Sequence, residues 1–264
     1  MKKRIVIGIA AIVVVSSLAL LIWLIKFRNT TPKTLGELLS EKNRNIETRV
    51  YICENGVMTP YVVLETDNYG DAVLLMREYA YPEMMMYRDE NMYGAAGAYY
   101  KGSIVDDYLE NTFFDFYSDG VRSIIRESPV KIYTEEYVRA HQETKGPVME
   151  TIYRHVFALS KSEWGSNFLG LEKNDPLYEA DSIRGIQKYA YRCYVWLRSE
   201  TYGGGDTSIS VVYDGEIEHW HLQKKAQVQP AFTVSRNTKI ERYEGWGSSA
   251  QGFVFSCDVI TDKK

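Results

Sequence analysis

The sequence has too few cysteines for a disulfide framework. Cys53, Cys193 and Cys257 are the only three in 264 residues, and no C-x-x-C spacing occurs. Small secreted domains that depend on disulfides carry more cysteines, in even numbers. We therefore expect three buried free thiols, with a Cys193–Cys257 disulfide as the alternative if the protein lies outside the cytoplasm.

Clusters of basic residues are also missing outside the first four positions. The formal net charge is −4 at pH 7. Nucleic acids are bound mainly by Lys and Arg side chains that contact phosphates. We therefore expect no nucleic-acid partner.

Catalytic and metal-binding signatures are missing as well. The sequence contains no G-x-S-x-G, no H-E-x-x-H and no phosphate loop ending in Gly-Lys-Ser/Thr. His219 and His221 lie two residues apart, so they would share one face of a strand. A metal site needs three or four ligands and this pattern supplies two. We expect no metal, no cofactor and no enzymatic activity.

One long apolar run is present near the N-terminus, over residues 5–25. A helix rises about 1.5 Å per residue, so a run of this length spans the ~30 Å hydrocarbon core of a bilayer. The run is longer than the core of a cleaved signal peptide, and Lys2, Lys3 and Arg4 precede it. We therefore expect an uncleaved signal anchor in the cell membrane, with a cytoplasmic N-terminus and the lipid bilayer as its partner.

This run divides the chain into four predicted parts. They are a cytoplasmic tail, a single-pass transmembrane signal anchor, a stalk with a short juxtamembrane helix, and one extracytoplasmic globular domain. Their predicted bounds are 1–4, 5–25, 26–47 and 48–262. No composition shift marks a further boundary within the last part.

Turn and capping patterns predict mixed secondary structure in the globular domain. Alternating apolar residues on both sides of Asn55-Gly56 predict an N-terminal β-meander. Two or three short helices follow, with their N-caps predicted at Ser103, Ser118 and Ser160. The C-terminal part has the period of antiparallel strands, including a second hairpin at Asp214-Gly215.

Two motifs near the end of the domain resemble those of an uncharacterised bacterial domain family. Trp196-Leu197-Arg198-Ser199, a hairpin, and then Val228-Gln229-Pro230-Ala231-Phe232 are similar to its W-L-R-S and V-R-P-A-[LF] pattern. The order and spacing of weaker upstream motifs agree from about Val50 to Val234. The chain departs from the pattern at Gln229, where the family usually carries Arg.

The resemblance implies a fold and a location. Members of the family are commonly secreted or anchored, and their function is not established. The strand–loop–hairpin–strand ending is similar to the C-type-lectin-like fold of the formylglycine-generating enzymes. The fold class expected from it is α+β, with a single C-type-lectin-like mixed domain behind one N-terminal transmembrane helix.

The expected function is that of an extracytoplasmic binding module for a glycan or a protein. The candidate ligand-binding residues are Tyr202, Trp220, Trp246 and Arg198, because aromatic faces suit sugar rings and peptide side chains. For Arg198 a structural role is the stronger interpretation, with Asp206 or a C-terminal carboxylate as its partner. Two alternatives stay open. They are an oxidoreductase of formylglycine-generating-enzyme type that uses Cys193 and Cys257, and a structural component of an envelope assembly.

Overall fold

Strands dominate the part of the chain that the structure describes. In this computed structural model the described residues are 32–40, 49–64, 66, 68–89, 97–139, 148–164, 192–200, 208–214, 216–243 and 252–258. The chain divides into two units, Met1–Lys33 and Thr34–Lys264. Almost all of the first unit lies outside the described residues, so the elements below belong to the second.

Fourteen strands occur within the described residues. In chain order they are β1 (Arg49–Glu54), β2 (Val57–Leu64), β3 (Ala72–Arg77), β4 (Tyr81–Met86), β5 (Ile125–Arg126), β6 (Ser128–Tyr133), β7 (Met149–Arg154), β8 (Val195–Glu200), β9 (Ser208–Tyr213), β10 (Glu216–His221), β11 (Lys225–Val228), β12 (Ala231–Ser235), β13 (Ile240–Tyr243) and β14 (Gly252–Phe255).

The helical segments among the described residues are all short. The α-helices are Leu35–Ser40, Ile104–Asp107, Asp119–Arg122, Glu135–Arg139 and Lys161–Trp164. The second of these continues as a π-helical turn, Tyr108–Phe113, and then as a 3₁₀ turn, Phe114–Phe116.

The strands form three sheets. The largest has the order β13-β14-β1-β2-β3-β12-β5, the second has the order β10-β9-β8-β11-β4, and β6 pairs with β7. Most neighbours are antiparallel, while β1 with β14 and β8 with β11 are parallel. Consecutive strands lie in different larger sheets at three points, from β3 to β4, from β4 to β5 and from β11 to β12.

Both predicted hairpins are confirmed. Asn55 and Gly56 have φ values of 47° and 82°, as the two central residues of a type I′ turn require. β1 and β2 pair on either side of that turn, from Arg49↔Val62 to Glu54↔Val57. In the second hairpin Asp214 has a φ of 50°, and β9 pairs with β10 in register.

The predicted N-caps are confirmed, because each forms hydrogen bonds with the first turn of the helix that follows it. The side chain of Ser103 accepts a hydrogen bond from the Asp106 amide, and that of Ser118 accepts one from the Val121 amide. Ser160 and Glu163 form a reciprocal capping box. The Glu163 amide donates to Ser160 Oγ at 3.2 Å, and the Ser160 amide donates to Glu163 Oε2 at 2.8 Å.

The helix Leu35–Ser40, expected beside a membrane, packs on the largest sheet. Leu35 is fully buried, and its amide donates to the Thr238 carbonyl at 3.1 Å. The Gly36 amide donates to the Arg236 carbonyl at 2.8 Å. This helix is therefore part of the globular unit.

The predicted α+β fold class is wrong, because the fold is mostly β. The α-helices that follow Ser103, Ser118 and Ser160 are four residues each. Of the three, the helix after Ser103 is extended by the π-helical and 3₁₀ turns as far as Phe116. Short helical segments make few hydrogen bonds of their own, and here they connect strands and do not form a layer.

The transmembrane helix predicted over residues 5–25 lies outside the described residues. No helix within the described ranges is long and apolar enough to cross a membrane. The predicted single-pass signal anchor thus has no counterpart within the described residues.

Residues near the end of the described chain pack tightly against the helix Asp119–Arg122. Asp258 accepts hydrogen bonds from Ser118 Oγ at 2.7 Å and from the Cys53 amide at 2.9 Å. A Cβ added at Gly120 would lie 2.4 Å from the Cys257 carbonyl oxygen. Because that atom belongs to the backbone, it cannot move aside as a flexible side chain would.

We predict that Gly120→Ala lowers the free energy of unfolding by about 1–3 kcal/mol, the usual cost of overpacking. Helix propensity alone would give the opposite sign, a gain of up to about 1 kcal/mol. Urea unfolding of the two proteins measures the difference. An unchanged or raised stability would contradict the close approach of residues 120 and 257.

Candidate functional site

Three half-buried aromatic side chains stack at one end of the five-stranded sheet. Tyr194 directly precedes β8, Tyr213 ends β9, and Trp220 lies on β10. The Tyr194 ring centroid lies 4.3 Å from that of Tyr213, with 18° between the planes, and 3.8 Å from that of Trp220, with 33° between the planes. Tyr194 therefore lies between the other two, and we call these three residues the aromatic row.

Strand alternation determines which face of the five-stranded sheet carries Trp220. Glu218 and Trp220 are two apart on β10 and so share a face, and the Trp220 Nε1–H donates to Glu218 Oε2 at 3.2 Å. Ile217, on the opposite face, is buried. His219 and His221 share the Ile217 face. Within the described residues no group of three or more His, Cys, Asp or Glu side chains is placed to hold a metal ion.

The aromatic row is continuous with the core. The indole rings of Trp196 and Trp220 meet edge to face, with centroids 6.3 Å apart. Trp196 is fully buried, packs edge to face on Tyr87, and donates its Nε1–H to the Met85 carbonyl at 2.8 Å. A buried hydrogen bond of this kind fixes the orientation of the ring. The half-exposed rings therefore rest on a rigid base.

Charged side chains surround the aromatic row. Lys224 Nζ lies 4.6 Å from the Trp220 ring centroid, a cation–π distance. Arg192 Nε lies 3.7 Å from Asp214 Oδ2, and both side chains are exposed. Desolvation, together with Glu218 and Tyr213, raises the pKa of Tyr194. Its phenol therefore stays neutral and keeps its hydroxyl proton.

Arg198, a predicted ligand-binding residue, lies inside the protein and is 5% exposed. Its Nη1 lies 2.7 Å from Glu163 Oε2 and donates to the Ala158 carbonyl at 2.7 Å, while its Nε donates to the Lys131 carbonyl at 3.2 Å. Its acidic partner within the described residues is Glu163 of the capping box, whereas Asp206, which the sequence suggested, lies outside them. The structural interpretation of Arg198 therefore agrees with the geometry better than ligand contact does.

Glu163 is held as a carboxylate by this arrangement. Burial acts to raise its pKa, but the Arg198 charge and hydrogen bonds from Arg198, Tyr69 and the Ser160 amide outweigh burial and lower the pKa. The Tyr69 hydroxyl donates to Glu163 Oε1 at 2.5 Å. Both carboxylate oxygens thus accept hydrogen bonds, as a buried charge requires.

The other predicted site residues are placed as follows. Tyr202 and Trp246 lie outside the described residues. Trp220 is in the aromatic row, whose other members, Tyr194 and Tyr213, were not predicted. The signal that could have found them is the succession of strands β8 and β9, because their antiparallel pairing brings the end of β9 beside the start of β8.

All three cysteines are free thiols, but they are not all buried. Cys53 is buried, Cys193 is half-buried and Cys257 is exposed. Burial raises the pKa of Cys193, and desolvation together with the nearby Asp258 carboxylate raises the pKa of Cys257. Because the thiolate is the nucleophile, both thiols are weakly reactive at neutral pH.

We predict that Glu163→Gln lowers the free energy of unfolding by about 3–5 kcal/mol near neutral pH, since it leaves Arg198 buried without a counter-charge. The folded pKa of Glu163 is depressed, so its contribution is complete above the unfolded value of about 4.3 and is lost as the pH falls through the folded pKa. The stability difference between wild type and variant should shrink in acid. Urea unfolding over a pH series measures it.

Asp71→Asn is the matched control, because it removes one carboxylate charge from the exposed Asp71–Arg126 pair. Exposed pairs add little stability, so this variant should unfold almost as the wild type does. Equal losses in the two variants would contradict the special role of the buried pair.

Comparison with known proteins places the chain in one family. The model of a family described as a domain of unknown function, DUF6273, matches residues 70–236, more than half of the 264 residues. The match covers both motifs on which the resemblance rests. No curated protein and no solved structure matches the chain, so the similarity to the C-type-lectin-like fold has no support. The chain belongs to the DUF6273 family of domains of unknown function.

Proposed function

We propose that this protein is a non-catalytic binding module that recognises a glycan at the aromatic row. One observation carries the proposal: Tyr213, Tyr194 and Trp220 form a continuous stack at a partly exposed position, and Trp220 packs against the buried Trp196. A rigid aromatic surface offers contact area at little cost in side-chain entropy.

The two end rings of the row are the contact surfaces. Tyr194 lies between its neighbours, so its ring faces are already in use. Tyr213 can present its outer ring face, and Trp220 can present the ring face that Lys224 covers, once the exposed Lys224 side chain moves aside. Sugar rings carry axial C–H bonds on one face, and these pack against the electron-rich face of an aromatic ring.

The charges around the row suit the rest of a sugar. Hydroxyl groups both donate and accept hydrogen bonds. Glu218 and Asp214 supply acceptors, while Lys224 and Arg192 supply donors. Apolar contact fixed by a few placed polar groups is the usual composition of a small-ligand site. A glycan of the cell envelope or of its surroundings is the ligand class that we propose.

The thiol chemistry of the alternative oxidoreductase is less favoured. Its two candidate cysteines, Cys193 and Cys257, are separate free thiols with raised pKa values. A redox-active pair needs a thiolate near neutral pH. Glycan binding that persists in the Cys193→Ala, Cys257→Ala double variant would agree with a non-catalytic module.

We predict that the purified full-length chain binds a subset of glycans on an array, and that Trp220→Ala and Tyr213→Ala each weaken that binding at least about tenfold. Truncation of a central aromatic contact in an interface usually costs that much. Calorimetric titration with the best glycan measures the affinity. Tyr213→Phe keeps the ring and should retain most of it.

Tyr153→Ala is the control, because Tyr153 is an exposed tyrosine on a different sheet, 57% exposed. It should leave glycan affinity unchanged. An array on which only peptides are bound would contradict the proposal, as would glycan binding that survives loss of both end rings.

A further inference from the structure

A second aromatic cluster lies beside β4 and shares no residue with the aromatic row. Tyr81, Tyr108 and Phe116 are all half-buried, and their ring centroids lie 5.8 to 6.4 Å apart. We call them the aromatic triad. Phe113, which is fully buried, lies against all three at 5.2 to 6.3 Å. The triad thus has a closed, apolar floor.

The local backbone explains why these rings meet. Tyr108 begins the π-helical turn Tyr108–Phe113, and Phe116 ends the 3₁₀ turn that follows it. A wide turn joined directly to a tight one changes the spacing at which side chains share a face. π-Helical turns are rare and occur frequently at functional sites. The helical segment is therefore irregular here, and a regular α-helix would place these side chains at a different spacing.

A carboxylate lies at the rim of the aromatic triad. Glu83 is exposed and shares one face of β4 with Tyr81, since the two are two residues apart. The Tyr108 hydroxyl donates to Glu83 Oε2 at a long 3.3 Å. Among the described residues no Lys, Arg or His forms an ion pair with Glu83. The rim therefore carries a negative charge without a cation of its own.

One ring of the triad already contacts a cation. The guanidinium carbon of Arg77 lies 5.5 Å from the Tyr81 ring centroid. Arg77 is held there by Glu54 at 3.1 Å and by the carbonyls of Tyr79 and Ala80 at 2.6 and 2.9 Å. Arg77 and Tyr81 thus form a cation–π contact within the protein.

We propose that the aromatic triad and Glu83 form a binding site for a quaternary ammonium group. Such a group carries a positive charge but has no N–H to donate. It is therefore recognised by the negative faces of aromatic rings and by a nearby carboxylate. Centroid separations near 6 Å leave no space between the rings, so the cation lies on the triad beside Glu83.

Two kinds of ligand carry a quaternary ammonium group, a free choline-like molecule and a phosphocholine lipid headgroup. The test uses choline chloride and the uncharged carbon isostere of choline, each titrated into the full-length chain and followed by NMR of the ligand methyl protons. We expect choline to bind at least about tenfold more tightly than its isostere, since only choline gains the cation–π attraction. Equal affinities, or no binding of choline, would overturn the proposal.

Two variants locate the site. Glu83→Gln removes the rim charge from an exposed position, so folding should be unaffected, and choline affinity should fall several-fold. Tyr108→Leu removes one ring and should lower it about tenfold. Tyr153→Leu is the control and should change nothing. Choline binding that is unchanged in Glu83→Gln would overturn the site even if Tyr108→Leu failed to fold.

A second arm separates the two sources. Sedimentation with phosphatidylcholine vesicles, against vesicles of phosphatidylglycerol, measures headgroup binding. Choline binding without vesicle binding assigns the site to a free ligand, and both together assign it to the headgroup. Loss of glycan binding in the aromatic-row variants leaves these results unaffected, so the two proposals fail separately.

Discussion

The buried ion pair between Arg198 and Glu163 connects several segments that are far apart in the sequence. Arg198 lies on β8, Glu163 is in the capping box of the helix Lys161–Trp164, and the pair is completed by Tyr69 and by carbonyls of Ala158 and Lys131. Each group is costly to bury alone, so the pair is stable only when all these segments are in place. Arg198 of the W-L-R-S motif therefore has a structural role, and Trp196 of the same motif packs against Trp220 of the aromatic row.

Local signals predicted local structure well. The Asn55-Gly56 turn and the Ser160–Glu163 capping box depend on residues within three positions, and both occur as expected. Long-range contacts were not predictable in the same way. Glu163 and Arg198 are 35 residues apart, and no pattern in either segment names the other. The fold class failed for a related reason, because cap signals mark where a helix begins but do not give its length, and the described α-helical segments after the three caps have four residues each.

Gln229 shows how one departure from the family pattern is accommodated. It lies between β11 and β12, where the chain passes from one large sheet to the other. Its Nε2 donates to the carbonyls of Arg77 and Glu78 at 2.9 and 3.1 Å, where the chain passes from β3 to β4. An arginine offers more donors and adds a charge. In this chain the Gln229 amide supplies both donor contacts between the two passages, and Arg49 pairs with Glu78 beside them.

The order of the largest sheet has a consequence for where this domain ends. Strands β13, β14, β1 and β2 all fall outside residues 70–236, and β1 lies parallel to β14. A fragment cut at the limits of the family match would lose over half of that sheet and expose the pairing edge of β3, a flat template for self-association. The folding unit is thus wider than the stretch that matches the family model, and strands from both sides of that stretch complete its largest sheet.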